Sequence, residues 1–253
     1  MSSYYIIIGG SKGTGKELLR RLIKKKKKVI VVGRTKPDSK LFLSKNIIFL
    51  EADLNKTKQV SSLVSTIKSM RISISHIVFF QRYRGHNRHF SGEYNVSQKA
   101  TDKIIRGLID SFNENSLNKS IVLIGSIASE FVAMEQPVSY HIGKSSMREM
   151  AKYYAVALGP KNIRVNYLRP ATILKEENKE FYVQDNYITK LFMSITPLNR
   201  LGTAVDIVNC IEFLCSKKAS FITGIDLPID GGVSLESPLS KCRRVINPNS
   251  KLS

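Results

Sequence analysis

The stretch Gly9-Gly10-Ser11-Lys12-Gly13-Thr14-Gly15 decides the fold, because it joins two segments of different periodicity. Before it lies the nearly continuous apolar run Tyr4–Ile8, which is typical of a buried strand. After it, apolar residues follow at helical spacing: Leu18, Leu19, Leu22 and Ile23. Glycines let a backbone approach an anion, and a helix N-terminus offers free N–H groups and a positive dipole end. The pattern therefore predicts a strand, a phosphate-binding turn and a helix.

The glycine turn fits two phosphate-binding patterns. Read as Gly10-x-x-x-x-Gly15-Lys16, it approaches the loop of nucleoside-triphosphate-binding proteins, where a Ser or Thr for Mg²⁺ comes next. Glu17 stands at that position, and its carboxylate would face phosphate, so we reject this interpretation. Read as Gly9-x-x-x-Gly13-x-Gly15, it is a candidate dinucleotide-binding loop, although a lone glycine-rich turn could also be only a turn.

The second apolar run, Val29–Val32, ends at Gly33-Arg34-Thr35. In dinucleotide-binding folds, an acidic residue ~20 positions beyond the glycine loop binds the ribose 2′-hydroxyl of NAD, whereas an Arg accommodates a 2′-phosphate. Arg34 occupies that place, and Lys12 adds a second cation. We therefore predict NADP(H) in preference to NAD(H). The alternative is that Arg34 is an exposed loop charge.

Further apolar runs alternate with helical patterns along the chain, and this alternation predicts an α/β protein. They are Ile47–Leu50, Ile77–Phe80, Ile121–Ile124, Asn162–Pro170 and Phe221–Gly232. Polar residues follow several of them at the carboxyl end, where open parallel sheets bind ligands. Asp53 follows the third run, and Ser126 follows the fifth. The surroundings of Ser126 lack a Gly-x-Ser-x-Gly elbow, which argues against a serine nucleophile.

Tyr140-His141-Ile142-Gly143-Lys144 places a phenol and an ammonium group four residues apart. In a helix, which the pattern Lys144–Leu158 predicts, both side chains would lie on the same face. Of the 10 tyrosines, Tyr140 alone has a Lys at this spacing. A cation beside a phenol favours the phenolate. Tyr140 is therefore a candidate acid or base.

The fourth run continues into Phe80-Gln81-Arg82-Tyr83, at the carboxyl end of a predicted strand. The loop that follows is rich in cationic and titratable side chains: Arg82, Arg84, His86, Arg88 and His89. Such a loop is either a solvated basic surface or a site for an anionic substrate or a cofactor phosphate. Arg88 lies between His86 and His89, and no carboxylate lies within this stretch, so we predict no metal site.

These motifs occur in an order that resembles the short-chain dehydrogenases/reductases, most closely those similar to 3-oxoacyl-[acyl-carrier-protein] reductases. The resemblance runs from Tyr4 to Ser234 and includes Pro197–Gly202 before a helical pattern at Asp206–Leu214. It implies a single-domain Rossmann fold over residues 1–234, with a doubly wound seven-stranded parallel sheet and helices on both faces. It further implies a substrate lid near residues 172–196, with the aromatic residues Phe181, Tyr182, Tyr187 and Phe192, and a C-terminal tail at 235–253.

The resemblance also implies the roles of individual residues. Tyr140 would protonate a carbonyl oxygen, Ser126 would orient it, Lys144 would activate the phenol and hold the nicotinamide ribose, and Asn95 would anchor a relay water. The reaction would be reduction of a carbonyl, or oxidation of the alcohol, by hydride transfer with NADP(H). The implied cofactor-binding residues are Gly9, Ser11, Lys12, Gly13, Thr14, Gly15, Arg34, Thr35, Asp53, Leu54, Tyr140, Lys144 and Pro170.

Three parts of the chain depart from the family pattern. Ile8 replaces the usual Thr, Phe80–Tyr83 replaces an Asn-Asn-Ala-Gly motif, and Ala171 follows Pro170 where Gly is common. We expect a small-molecule carbonyl or alcohol substrate, and an anionic or carrier-bound substrate is among the alternatives. Family members are commonly tetramers through the helices of Asn95 and Tyr140, so we expect a homo-oligomer, a tetramer or a dimer.

Composition limits the other possibilities. The net charge of +20 in 253 residues could attract nucleic acid, an acidic carrier protein or a phosphorylated substrate. The densest cluster, Lys24–Lys28, is interpreted as a solvated corner, and we do not expect nucleic-acid binding.

Cys210, Cys215 and Cys242 show no metal-ligand spacing and are interpreted as packing residues of a cytoplasmic protein. The sequence offers no membrane span, and the main alternative function is a catalytically idle, redox-sensing dinucleotide-binding protein.

Overall fold

The central strand β1 (Tyr4–Ile8) shows why the apolar runs are continuous. Ile6 and Ile8 pack into one hydrophobic core, and Ile7 packs into a second core on the opposite face. All three side chains are completely buried. A strand covered on both faces requires apolar residues at successive positions, as parallel sheets between helices do.

The computed structural model describes residues 3–36, 40–85, 90–174, 176, 180 and 187–247. The strands after β1 are β2 (Lys28–Gly33), β3 (Ile47–Glu51), β4 (Ile74–Phe79), β5 (Lys119–Ile124), β6 (Ile163–Pro170), β7 (Ile173–Leu174), β8 (Gly202–Thr203) and β9 (Asp226–Ile229). The helices are α1 (Gly13–Lys24), α2 (Thr57–Ser69), α3 (Phe90–Glu93), α4 (Ala100–Leu108), α5 (Val138–Leu158), α6 (Tyr187–Ser194), α7 (Ala204–Leu214) and α8 (Pro238–Ile246).

Within the described residues, seven parallel strands form one sheet in the order β3-β2-β1-β4-β5-β6-β9. Helices α2, α4 and α5 contribute to the core on one face, and α1 and α7 contribute to the core on the other. The predicted α/β class and doubly wound sheet are therefore confirmed. The strand order reverses between β1 and β4, and the carboxyl ends of strands at such a reversal form a crevice in which ligands bind.

Some predicted boundaries differ from the structure. Strand β4 begins at Ile74 rather than Ile77 and ends at Phe79, so Phe80 lies outside it. The helical pattern that begins near Asn95 is interrupted, because Tyr94–Lys99 forms a π-helix between α3 and α4. Of the predicted lid, Tyr187 and Phe192 lie in α6. Phe181, Tyr182 and the loop residues His86, Arg88 and His89 lie outside the described residues.

The cysteines do not all have the role predicted for them. Cys215 is buried and Cys210 is half-buried, but Cys242 on α8 is exposed, so its interpretation as a packing residue is wrong.

Lys24 to Lys27 are exposed at the corner between α1 and β2. Across the described ranges, no helix is both long and apolar enough to cross a bilayer.

Candidate active site

The glycine turn lies at the carboxyl end of β1, directly against the end of β4. Gly9 has a φ of +81°, and a Cβ there would lie 3.1 Å from the backbone nitrogen of Gln81. A Cβ at Gly15 would lie 2.7 Å from the carbonyl oxygen of Gly9. Both contacts require glycine, and together they fold the turn tightly over the start of α1. The first turn of α1 carries no acidic residue at positions 13–16, which leaves its positive end open to an anion.

A cleft of about 500 Å³ extends from this turn across the carboxyl edge of the sheet. Every residue predicted to bind cofactor lines it: Gly9, Ser11, Lys12, Gly13, Thr14, Gly15, Arg34, Thr35, Asp53, Leu54, Tyr140, Lys144 and Pro170. Ser126 lines it as well. Residues far apart in sequence therefore meet at one surface. The volume is within the range of about 300–1,000 Å³ that is usual for ligand pockets.

Arg34 and Lys12 are both exposed at one end of the cleft. Arg34 follows β2, and Lys12 lies in the glycine turn. Asp53 follows β3, where its Oδ1 accepts a hydrogen bond of 3.0 Å from the Asn55 backbone N–H. The loop conformation thus uses one carboxylate oxygen of Asp53, while the residue still faces the cleft.

Tyr140 and Lys144 lie on the first half of α5, as the spacing predicted. Lys144 Nζ is 5.8 Å from the centroid of the Tyr140 ring. The lysine is 4% exposed, and its Nζ donates a 3.1 Å hydrogen bond to the carbonyl oxygen of Ile124 at the end of β5. This bond fixes the ammonium group between the sheet and the phenol, with donors left for the cleft.

Ser126 lies two residues beyond β5, at the start of a short 3₁₀-helix. Its Oγ accepts a 3.2 Å hydrogen bond from the Ala128 backbone N–H. Since the oxygen acts as acceptor there, the hydroxyl proton of Ser126 remains able to donate. A serine in this state suits the orientation of a carbonyl oxygen rather than nucleophilic attack.

Tyr167 is a support of this site that the sequence did not reveal. Its side chain is completely buried on β6, and its hydroxyl donates a 3.0 Å hydrogen bond to the carbonyl oxygen of Lys144. The backbone N–H of Ser126 donates to the same hydroxyl at 3.4 Å. Burial raises the pKa of Tyr167 to about 12, which keeps the phenol protonated. One side chain therefore ties together the backbones of Ser126 and Lys144.

Asn95 lies in the π-helix Tyr94–Lys99 and not on the wall of the cleft, although its neighbour Val96 does line it. The side-chain Nδ2 of Asn95 donates a 3.1 Å hydrogen bond to Asn55 Oδ1. A π-helical turn is wider than an α-helical one, costs stability, and occurs frequently at functional sites. The relay water predicted at Asn95 would therefore lie beside a π-helical turn.

Glu93 is a second residue that sequence reasoning missed. It is 4% exposed, accepts a hydrogen bond from Ser97 Oγ, and lies against Gly143, where a Cβ would be 2.7 Å from the carboxylate. Burial raises the pKa of the Glu93 carboxyl, while Ser97 and the charges of Lys144 and Arg82 oppose that rise. The signal in the sequence was Gly143, whose missing side chain makes room for a carboxylate.

Within the ranges that the structure describes, no group of three or more His, Cys, Asp and Glu side chains is arranged to hold a metal ion. His86 and His89 belong to the part of the chain that is not described.

Comparison with known proteins gives matches over most of the chain. A family model described as enoyl-(acyl carrier protein) reductase matches residues 10–234. L-xylulose reductase of Mesocricetus auratus is 24% identical over 233 residues, which are 90% of this chain and 94% of that protein. The 3-oxoacyl-[acyl-carrier-protein] reductase of Buchnera aphidicola subsp. Schizaphis graminum is 26% identical over 238 residues, 90% of this chain and 96% of that protein.

Solved structures agree on the architecture. ElxO with NADP bound is 25% identical with a TM-score of 0.79, and the match covers 93% of this chain and 100% of that one. The complex of 4-hydroxyisoleucine dehydrogenase with NADH has a TM-score of 0.84 at 23% identity, with the same coverage, and bears on the fold alone.

Proposed function

The chain belongs to the short-chain dehydrogenase/reductase family of oxidoreductases, and on this basis we propose that it is an NADP(H)-dependent carbonyl reductase with Tyr140 as acid and base. Members of the family act on a carbonyl or the corresponding alcohol. Two parts of this proposal go beyond family membership: the preference for NADP(H), and the residues that perform the chemistry. Its main support is the convergence of Tyr140, Lys144 and Ser126 on one cleft with the glycine turn.

The residues of the cleft fit a nicotinamide dinucleotide. Gly9 and Gly15 leave room for the backbone where a Cβ would collide, and the start of α1 offers N–H groups to a pyrophosphate. Tyr140 and Lys144 would hold the nicotinamide ribose at the other end. When bound, the cofactor supplies or accepts a hydride at the carbonyl carbon.

The chain's own residues would handle the proton. Tyr140 gives its phenolic proton to the carbonyl oxygen as the carbon is reduced, which leaves a phenolate beside the ammonium group of Lys144. Ser126 donates its hydroxyl proton to the same oxygen in a hydrogen bond and holds it in line. Lys144, fixed by Ile124, stabilises the phenolate, and the wide turn at Asn95 admits a water that returns a proton. In the oxidative direction each transfer reverses.

Preference for NADP(H) is supported by Arg34 and Lys12, two cations at the end of the cleft where a 2′-phosphate would lie. Structural neighbours with NADP and with NADH are both known, so the preference rests on these two side chains. Arg34→Ala should weaken NADPH binding by about 10- to 100-fold and leave NADH binding within about 2-fold. Titration of cofactor fluorescence measures both constants, with Arg71→Ala, an exposed arginine at the turn after α2, as the control. Equal losses for the two cofactors would contradict the assignment.

The decisive experiment compares two tyrosines of α5. Tyr140→Phe should lower NADPH-dependent turnover of a panel of ketones and aldehydes by at least about 10²-fold, with cofactor binding retained. Tyr153→Phe, at a position 61% exposed on the same helix, should leave turnover unchanged. Full activity of Tyr140→Phe would refute the mechanism. Binding of NADPH without turnover of any carbonyl compound by the wild type would favour the idle redox-sensing alternative.

We further propose a cytoplasmic homo-oligomer, a tetramer or a dimer. Its support is the apolar surface on the helices of Asn95 and Tyr140, where Tyr94 and Val156 are 54% and 80% exposed. Light scattering of the purified protein tests the assembly. A monomer at micromolar concentration would refute it.

A further inference from the structure

Arg82 lies in the part of the cleft where the family pattern is replaced by Phe80-Gln81-Arg82-Tyr83. We infer that Arg82 binds a carboxylate of the substrate, so that the substrate is an oxo acid whose carboxylate lies within one or two carbons of the reduced carbonyl. The inference rests on the proposed function and specifies its substrate class.

The residues on either side of Arg82 fix it in place. Gln81 is 5% exposed, and its Nε2 donates a 2.7 Å hydrogen bond to Thr101 Oγ1. Tyr83 packs against α3, where a Cβ on Gly92 would lie 2.2 Å from the Tyr83 Cζ. Both neighbours are thus anchored toward the helices of one face. Arg82, between them, is an exposed side chain that lines the cleft, and its two anchored neighbours fix the course of its backbone.

The guanidinium group lies over the proposed proton donor. Arg82 Cζ is 4.8 Å from the centroid of the Tyr140 ring, a cation–π geometry. Its Nη2 donates a 2.7 Å hydrogen bond to Gln136 Oε1. Among the described residues this is its one hydrogen bond, and no carboxylate there forms an ion pair with it. Since a guanidinium has five N–H donors, most of the fork is available to a ligand.

The position of Arg82 distinguishes substrate from cofactor. The proposed 2′-phosphate contacts, Arg34 and Lys12, lie beside β2 and the glycine turn, whereas Arg82 contacts the ring of Tyr140. An anion held here would be adjacent to the carbonyl that Tyr140 protonates. Arginine binds a planar carboxylate through two parallel N–H···O bonds, which orients the ligand as well as attracting it.

The experiment uses substrate pairs that differ only in charge. NADPH-dependent reduction of 2-oxo and 3-oxo acids is compared with reduction of their methyl esters, for the wild type, Arg82→Met, Arg82→Lys and the charge-matched control Arg71→Met. We expect the wild type to prefer the acids. Arg82→Met should lower kcat/KM by about 10- to 100-fold for the acids and by no more than about 2-fold for the esters. Arg82→Lys should restore part of the loss, and Arg71→Met should behave like the wild type.

The possible results separate this inference from the proposed function. If the wild type reduces esters or other neutral carbonyl compounds as well as the acids, or if Arg82→Met affects acid and ester equally, the inference fails and the reductase proposal stands. If Arg82→Met weakens NADPH binding by the same factor as it lowers kcat/KM for the acids, Arg82 is a cofactor contact and the inference fails. If no carbonyl compound is turned over with either nicotinamide cofactor, the proposed function fails and the inference fails with it.

Discussion

Gly125→Ala tests how Tyr167 supports the candidate active site. A Cβ at Gly125 would lie 1.8 Å from the Tyr167 hydroxyl oxygen and 1.9 Å from its Cζ. The tyrosine is completely buried in a packed core, so it has no open space into which to move. The added methyl group must therefore displace the ring or the strand ends around it.

The magnitude follows from two terms. Overpacking a core costs about 1–3 kcal/mol. Moving Tyr167 also weakens the hydrogen bond to the Lys144 carbonyl, worth about 0.5–1.5 kcal/mol. We expect Gly125→Ala to lower the free energy of unfolding by about 2–4 kcal/mol. For a chain of this size, that lowers the Tm by about 5–15 °C.

Gly159→Ala is the matched control, because a Cβ at Gly159 would meet nothing within 4 Å. Its backbone is right-handed helical, so alanine is allowed and should leave stability equal or slightly higher. Thermal unfolding followed by circular dichroism measures both variants. A Gly125→Ala protein as stable as the wild type, or a Gly159→Ala protein destabilised as much, would refute the reasoning.

Three further predictions concern single side chains. Burial raises the pKa of Glu93 in the folded state, so this residue contributes stability below pH 4.5, the ordinary pKa of a glutamate, and the contribution is lost as the pH rises. Glu93→Gln should therefore raise the Tm at pH 8 but not at pH 4. A difference in Tm that is the same at both pH values would count against this reasoning. In thiol titration of native protein, exposed Cys242 should react quickly and Cys215, whose pKa burial raises to about 11, only on unfolding; early reaction of both would contradict the structure. Thr203→Ala removes the capping box of α7 and should lower the free energy of unfolding, measured with urea, by about 1 kcal/mol. An unchanged free energy of unfolding would mean that the capping box does not stabilise the helix.

Short sequence patterns were sufficient to predict the elements on which the candidate site lies. The glycine turn and the spacing of Tyr140 and Lys144 could be predicted because each depends on backbone geometry over a few residues. The ends of parallel strands then brought Ser126 and Arg34 to the same edge, as the topology of an α/β sheet requires.

The parts that escaped prediction depend on contacts between distant segments. Gly125 looks like an ordinary residue after a strand until the hydroxyl of Tyr167 is placed against it. Glu93 looks like an exposed helical acid until α5 presents a glycine to it. The exposure of Cys242 could not be predicted, because composition does not show which face of α8 meets solvent.

The wide turn at Tyr94–Lys99 has a consequence for how the protein tolerates deletion. A π-helical turn accommodates one residue more than the α-helix on either side of it. Loss of one residue there would restore the regular α-helical hydrogen bonds, and α4 would keep its buried side toward the sheet. Such a deletion would alter the packing of Val96 and Ser97, which are buried in this turn, and would remove the π-helical geometry at Asn95 on which the proposed proton relay depends.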